Sequence, residues 1–419
     1  MGDQPSTAGL ILRKRLLLSS MQFMFWAAFG IAPFIVVLLR EQKLDSITIG
    51  LMLSINSFIG IFGQPIWGMV SDWVKSAKKV FILCMSVCTI TYALLMNARS
   101  PLAIGIILAV DTFFRSPVVS LVDIWCVASI SGDERISYGS LRLWGSIGFA
   151  LTVLFFGIIS DGRSVTVLFP FYFILAALTI TLSFFIKYGN NAQVRRIGFK
   201  ELKPRKLFNN YYYLALVGFM FLITLPNTPA GTFLPDLFVQ VGGTTAQYGF
   251  MHSIKAFLEV PFFFFGKKLL ERFGCVRIII AAAFLYMIQQ LLLACAVTPA
   301  QVILAQTLNG PAYSLYLIST LQYIFNLAPD DLKATAQTMA SALGGSLSSI
   351  VGNYGGGLFI TYFGLRSIFW TGAISDIITI TLFILSFTLI KRVAVRKEKH
   401  EKSLLNQNDQ SETGTTVNY

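Results

Sequence analysis

An arginine stands one turn inside a long apolar run, Tyr138-Gly139-Ser140-Leu141-Arg142-Leu143-Trp144-Gly145-Ser146-Ile147-Gly148-Phe149-Ala150. A guanidinium is a planar, multidentate donor that suits sugar hydroxyls, carboxylates or nucleobase edges. In hydrocarbon it must face protein, water or a ligand, because a charge exposed to lipid is expensive. The preceding apolar stretch carries Asp111, Arg115 and Asp123. Asp111 and Arg115 are four apart on one helix face and can pair directly. Asp123 lies nearer the loop that leads to Arg142. If the two stretches form a hairpin, Asp123 and Arg142 sit at similar depth and are expected to face each other. Such a pair can simply fix helix packing; intramembrane charges more often line a water-filled path.

A second polar set is His252, Lys255 and Glu259. Steps of three and four put them on one helix face, with Phe257 and Phe262 to Phe265 over much of the rest. Glu259 is the protonatable candidate here, and Lys255 can stabilise its anion; a static Lys–Glu pair is the plainer alternative. His252 lies nearer the helix end, where it can meet solvent. Asp376 is read equally as a second protonatable group or as structural, and Asp236 as a solvated or gating acid. Trp26, Trp144 and Phe149 are candidates for stacking on a ligand ring. The in-span charges nearly balance, with Arg115, Arg142 and Lys255 against Asp111, Asp123, Glu259 and Asp376. That balance favours a neutral polar solute; an organic anion requires some of the acids to be protonated.

The elements that must position these groups are membrane spans. The chain has 419 residues, 55% hydrophobic and only 13% charged, with a mean hydropathy of +0.68. Soluble domains carry roughly 25% charged residues. Apolar runs of about 20 residues recur along nearly the whole length, the signature of an all-α polytopic membrane protein. Twelve spans are expected, at 16–39, 47–71, 79–98, 102–129, 139–160, 165–187, 211–239, 247–269, 276–296, 300–327, 335–362 and 367–390. They divide into an N-terminal six-helix bundle (1–187), a basic cytoplasmic linker (188–210), a C-terminal six-helix bundle (211–391) and a polar, disordered cytoplasmic tail (392–419). Arg13-Lys14-Arg15 precedes an apolar run too long for a signal-peptide core, so the first span is read as retained.

With both termini inside, most lysines and arginines fall in inside segments; only Arg40, Lys43, Arg99, Arg163 and Arg366 fall outside. This obeys the positive-inside rule and accounts for the net charge of +13 without nucleic acid. The expected setting is a cell membrane, with the bilayer and a small-molecule solute as partners and a monomer as the default. There is no Walker loop, HExxH, GxSxG or metal-ligand cluster. No catalytic residue, enzyme activity, metal or cofactor is expected beyond a coupling proton. The cysteines Cys84, Cys88, Cys126, Cys275 and Cys295 are scattered through apolar segments and read as packed thiols.

A weak internal repeat supports the two halves. Gly68-Met-Val-Ser-Asp72-Trp-Val-Lys75 follows the second span, and Gly266-Lys267-Lys268-Leu-Leu-Glu271-Arg272 follows the eighth. Each has a glycine, then an acid, then basic residues. Parallel half-repeats with a site between them are a transporter architecture.

These residues carry a resemblance to the major facilitator superfamily over the whole chain. Gly68…Asp72…Lys78-Lys79 resembles its signature loop, which implies a gating role for Gly68 and Asp72. Ser116-Pro117…Asp123, Tyr138-Gly139…Arg142-Leu-Trp144-Gly145-Ser146…Gly148, Glu259-Val-Pro261 and Ala334-Thr335-Ala336-Gln337 resemble a narrower branch. That branch holds lactose permease-like, nucleoside:proton symporter and phenylpropionate permease-like carriers. The resemblance implies solute binding by Arg142 and Asp123 and ring stacking by Phe149. Lactose permease-like carriers couple protons through a histidine and a glutamate in span ten. The matching stretch here, Gln306-Thr-Leu-Asn309-Gly-Pro-Ala312, has neither, so coupling by that set is excluded and Asn309 is left as a neutral binding candidate.

The leading expectation is a proton-coupled importer of a small polar organic solute such as a glycoside, oligosaccharide or nucleoside. Arg142 and Asp123 bind the solute, Arg115 and Asp111 organise the pocket, and Glu259, Lys255 and Asp376 handle the proton. A uniporter or drug-efflux carrier, and a non-transporting receptor or assembly factor on the same scaffold, are the alternatives.

Overall fold

The computed structural model describes residues 7–130, 138–186, 207, 209–329 and 332–386. Most of the expected linker and the whole tail 392–419 lie outside the described residues. Among the described residues every regular element is helical. In chain order the α-helices are α1 (Thr7–Phe29), α2 (Ile35–Glu41), α3 (Ser46–Val74), α4 (Ala77–Asn97), α5 (Pro101–Arg115), α6 (Val118–Ile130), α7 (Tyr138–Ser160) and α8 (Phe169–Phe185). The second half follows with α9 (Tyr211–Thr232), α10 (Leu234–Gln240), α11 (Thr245–Phe273), α12 (Cys275–Cys295), α13 (Pro299–Leu327), α14 (Lys333–Ala340), α15 (Leu347–Phe363) and α16 (Ser367–Ser386).

Among the described residues nine helical stretches are long and apolar enough to cross a membrane. The described helices α11, α13 and α14–α15 are not among them. The reason is their polar content: His252, Lys255 and Glu259 in α11, Gln306 and Asn309 in α13, and a serine- and glycine-rich run in the last. A helix can carry such groups at membrane depth only if they face protein or a cavity. The shortfall itself marks these three as the helices that line something.

Local chemistry sets the helix ends. Pro101 and Pro299 occupy first turns, where the missing N–H costs nothing. Thr244 and Thr298 form capping boxes with Gln247 and Gln301. Pro117, two residues after Arg115, separates α5 from α6. A six-residue π-helical stretch, Ser341–Ser346, links α14 to α15 and carries Gly344 against Met220. The sequence repeat has a structural counterpart. α3 and α11 are both 29 residues long. Each ends in a residue with positive φ, Lys75 at 53° and Gly274 at 77°.

The two halves meet along α3 with α15 and α7 with α11, and their tightest approaches lie toward one end. There the helix backbones touch through glycine. A Cβ built on Gly50 would strike the Asn353 carbonyl, and one on Gly357 the Ser46 carbonyl. Gly157 and Gly249 face each other in the same way. The apolar core confirms this. One cluster runs through the N-terminal half and continues into Phe233, Leu237, Phe238, Tyr248, Leu293 and Phe369 of the other. The rest of the C-terminal core, around Tyr213, Phe219 and Ile324, is separate.

A cross-half ion pair ties the closed end. Arg40 Nε donates to Asp236 Oδ1 at 2.9 Å and Nη2 to Oδ2 at 2.5 Å. The same guanidinium donates to the Leu44 carbonyl (2.9 Å) and the Ser46 hydroxyl (2.7 Å) and lies over Phe233. Ser54 Oγ donates to the Ile350 carbonyl at 2.7 Å, and Asp161 accepts from the Ala246 N–H at 3.3 Å, again across the halves. Asp236→Ala leaves Arg40 without its carboxylate. It should loosen the closed end by about 1–2 kcal/mol, the range of a partly buried, bidentate pair. Faster thiol labelling of a cysteine placed at Val239, reversed by the added change Arg40→Ala, is the expected readout.

Candidate functional site

The N-terminal wall is built by α5. Its periodicity brings Asp111 and Arg115 together as an ion pair, as their spacing predicts. Asp111 is 1% exposed and also accepts a 2.9 Å hydrogen bond from Thr91 Oγ1. Arg115 lies over the Tyr92 ring, 5.0 Å from its centroid. Fixed on two sides, it borders a cavity of about 840 Å³ between the halves. Asn56, Gln64, Thr112 and Ser116 line its near side; Thr224, Tyr316, Gln337, Ser349 and Asn353 line the far side. The cavity extends from Asn353 and Thr232, near the closed end, to the exposed Gln64 and Gln337 toward the other.

Arg142 is placed by α7 and packs against α1. Gly145, one turn on, leaves room for the Trp26 ring and for Arg142 Nη1, both of which a Cβ there would crowd. The guanidinium lies 3.8 Å from the Trp26 centroid and donates weakly to Ser146 Oγ at 3.4 Å. The structure does not join it to Asp123. Between described residues the ion pairs are Arg40–Asp236, Asp111–Arg115 and Lys267–Glu271. Asp123 sits half-buried on α6, beside Cys126, whose thiol accepts from Gln22 Nε2 at 3.2 Å. Trp144 is 45% exposed, because two residues along a helix turn it away from the Arg142 face. Phe149 is seven residues on, on the Arg142 face, and packs on the N-terminal core.

The C-terminal wall comes from α9, α11, α12 and α13. They enclose a second cavity of about 400 Å³, bordered by His252, Lys255, Gln289, Gln306, Asn309 and Tyr313 among others. Gly310 allows the close approach: a Cβ there would meet the Lys255 carbonyl at 2.7 Å. Lys255 and Glu259 do not form the static ion pair that was the plainer alternative. The Lys255 ammonium leans over Tyr313, 5.9 Å from the ring centroid. Glu259 feels both Lys255 and Arg142 electrostatically, so the N-terminal arginine reaches the C-terminal acid across the gap between the halves. His252 packs edge-on to Tyr248, and its Nε2 is buried without a hydrogen-bond partner. Thr224 and Tyr316 line both cavities, which therefore adjoin.

Asp376 is fully buried on α16. Asn227 Nδ2 donates to its two oxygens at 3.3 and 3.4 Å, and Gln290 Nε2 donates to Asn227 Oδ1 at 3.1 Å. Asn309 Nδ2 donates to Gln289 Oε1 at 2.8 Å. Of these amides only Asn309 was singled out from sequence; for Asn227, Gln289 and Gln290 an Asn or Gln inside an apolar span was the signal available. Gly68 and Asp72 stand at the end of α3 remote from Arg40; Gly68 has open space around it and Asp72 is exposed. The nearby Lys78 turns to the α8 terminus and donates to the Ile186 carbonyl at 2.7 Å. No cluster of metal-ligating residues occurs among the described residues.

The MFS_1 like family model matches residues 16–371. An uncharacterized transporter, YwbF of Bacillus subtilis, is 27% identical over 90% of this chain and 93% of its own length. The maltose permease of Geobacillus stearothermophilus is 28% identical over 79% of this chain and 85% of its own. Among solved structures, a mutant of the nucleoside transporter NupG superposes with a TM-score of 0.80. It covers 89% of this chain and 99% of that one at 18% identity, which is a likeness of fold.

Proposed function

The chain belongs to the MFS_1 like family and is a secondary transporter of small solutes embedded in a membrane; on that premise we propose that it takes up a small polar organic solute by proton-coupled alternating access. The relatives named for maltose and nucleosides support a solute of sugar or nucleoside size. All twelve expected intervals act as spans, both termini face the cytoplasm and the membrane is the cell membrane. The end tied by Arg40 and Asp236 is then the outer one, and the chain stands in an inward-facing state.

One observation carries the reading: a cavity of about 840 Å³ lies between two halves that an ion pair ties together at one end. Solute enters that cavity between Arg115 on one wall and Tyr316 on the other. Arg142, Trp26 and Asn309 bind it, and Asp123 and Phe149 shape the N-terminal side. Glu259 takes and releases the coupling proton. It belongs to one half and is acted on by a cation of each, Lys255 and Arg142. Rocking of the halves changes the Arg142–Glu259 separation, and the proton affinity of Glu259 changes with it. Asp376, held by Asn227, is the second protonatable group.

The test is uptake into proteoliposomes of labelled sugars and nucleosides, with and without an imposed inward proton gradient. Accumulation above equilibrium only with the gradient is expected, with loss of accumulation but retained exchange in Glu259→Gln. Flux indifferent to the gradient would contradict the coupling.

A further inference from the structure

We propose that the cavity inside the C-terminal half is a carboxylate subsite, and that the transported solute bears one anionic group bound by Lys255. This rests on the reading of the chain as a small-solute carrier and names the chemistry of what it carries.

The charge arrangement leads there. The in-span charges that nearly balance in the sequence are not equally available to a solute. Asp111 and Arg115 neutralise each other. Asp376 is fully buried behind Asn227 and does not border the cavity. Of the other in-span charges, Lys255 borders the second cavity, while Arg142, Asp123 and Glu259 border neither. Lys255 forms no ion pair with a described residue.

The Lys255 charge has a place to act. Lys255, half-buried, borders the 400 Å³ cavity and makes no hydrogen bond with a described residue; its ammonium only overhangs the Tyr313 ring. Glu259, one turn on, acts on the Lys255 charge without reaching it as an ion pair, and an incoming carboxylate supplies the ammonium with a direct, charge-assisted partner. His252 Nε2, buried without a partner on the same wall, offers a further hydrogen bond. Gln306 and Tyr286 add neutral polar groups. The remainder of the solute has room as well: Thr224 and Tyr316 border both cavities, so a molecule with its acid end at Lys255 extends into the larger space between the halves. A sugar acid or a carboxylated ring fits this layout. A neutral sugar leaves the ammonium unpaired.

The experiment uses the full chain in lipid nanodiscs and three matched acid–neutral probe pairs. These are D-glucuronate with D-glucose, orotate with uracil, and phenylacetate with 2-phenylethanol. Binding is read by calorimetry and by thermal shift. At least one acid should bind about tenfold or more tightly than its neutral partner, the worth of one charge-assisted contact. Lys255→Gln should bring that acid down to the level of its partner, and Lys255→Arg should keep most of the preference. Unliganded melting of each variant reports folding; if Lys255→Gln melts early, Lys255→Met is used in its place. Equal or tighter binding of the neutral members, no binding of any acid, or a preference untouched by Lys255→Gln overturns the proposal. The two readings separate cleanly. Uptake of a neutral solute that ignores Lys255 leaves the carrier function standing and removes the subsite. Acid binding without any flux removes the carrier function instead.

Discussion

Gly157→Leu should trap the protein with its closed end open, reducing uptake by about tenfold to a hundredfold while each half stays folded. Gly157 on α7 meets Gly249 on α11 backbone to backbone; a Cβ at 157 would lie 2.8 Å from Gly249 Cα and from the Thr245 carbonyl. No rotamer of leucine relieves a clash with backbone, so the helices must part. Overpacking at a tight contact costs about 1–3 kcal/mol, and the contact is between halves rather than within one. The penalty therefore falls on one conformational state rather than on the fold, and shifts the equilibrium by the corresponding factor. Gly249→Leu should do the same, and the two together should add little, since they break one contact. Uptake rates with unchanged far-UV circular dichroism check this. Unimpaired uptake would show that the glycine contact is not part of the cycle.

Arg142→Ala should abolish solute binding, with a loss of roughly a hundredfold, as for removal of a charged, multidentate donor worth about 3 kcal/mol. Its effect on melting should be small. The guanidinium forms no ion pair with a described residue; what is lost is the Trp26 stack, 3.8 Å from the centroid, of the order of 1 kcal/mol. Arg142→Lys should rescue little, because a lysine supplies charge without the planar fork. Arg115→Ala should behave oppositely. It strands Asp111, 1% exposed, without its cation, and lowers the melting temperature before any binding defect is measurable. Side-by-side melting and binding curves separate the two arginines. A melting loss for Arg142→Ala larger than for Arg115→Ala would reverse their assigned roles.

What the sequence made legible follows physical range. Asp111 and Arg115 pair as expected because four residues along a helix fix their geometry whatever surrounds them. The apolar spans were legible for the same reason, since the bilayer imposes their length and composition. Arg142 with Asp123 was a different kind of inference. Depth can be judged from span boundaries, but the rotation of two helices about their axes cannot, and here α1 presents Trp26 to the arginine instead. Arg40 and Asp236, 196 residues apart, belong to different halves. Nothing local pairs them, and from sequence Asp236 read only as a solvated or gating acid. Lys255 and Glu259 show the opposite hazard. Their spacing permits an ion pair, yet the cavity beside Lys255 and the ring of Tyr313 draw the ammonium aside. The near balance of in-span charges is a sum, and a sum does not say which charges pair and which a solute meets; that is set by packing, as Asp111 and Arg115 show.

The central claim is that the two ends of the cavity open alternately. It is tested most directly by electron–electron distance measurements between spin labels in a background with the exposed Cys295 replaced by serine. One label pair, at Lys43 and Val239, spans the closed end; the other, at Trp73 and Lys267, spans the opposite end. All four positions are exposed. Going from the wild-type glycine at 157 to leucine, the Lys43–Val239 distance should lengthen and the Trp73–Lys267 distance should shorten in the same sample. If the first distance lengthens while the second stays fixed, or if neither moves, the halves do not rock about a central site and the alternating-access account is wrong.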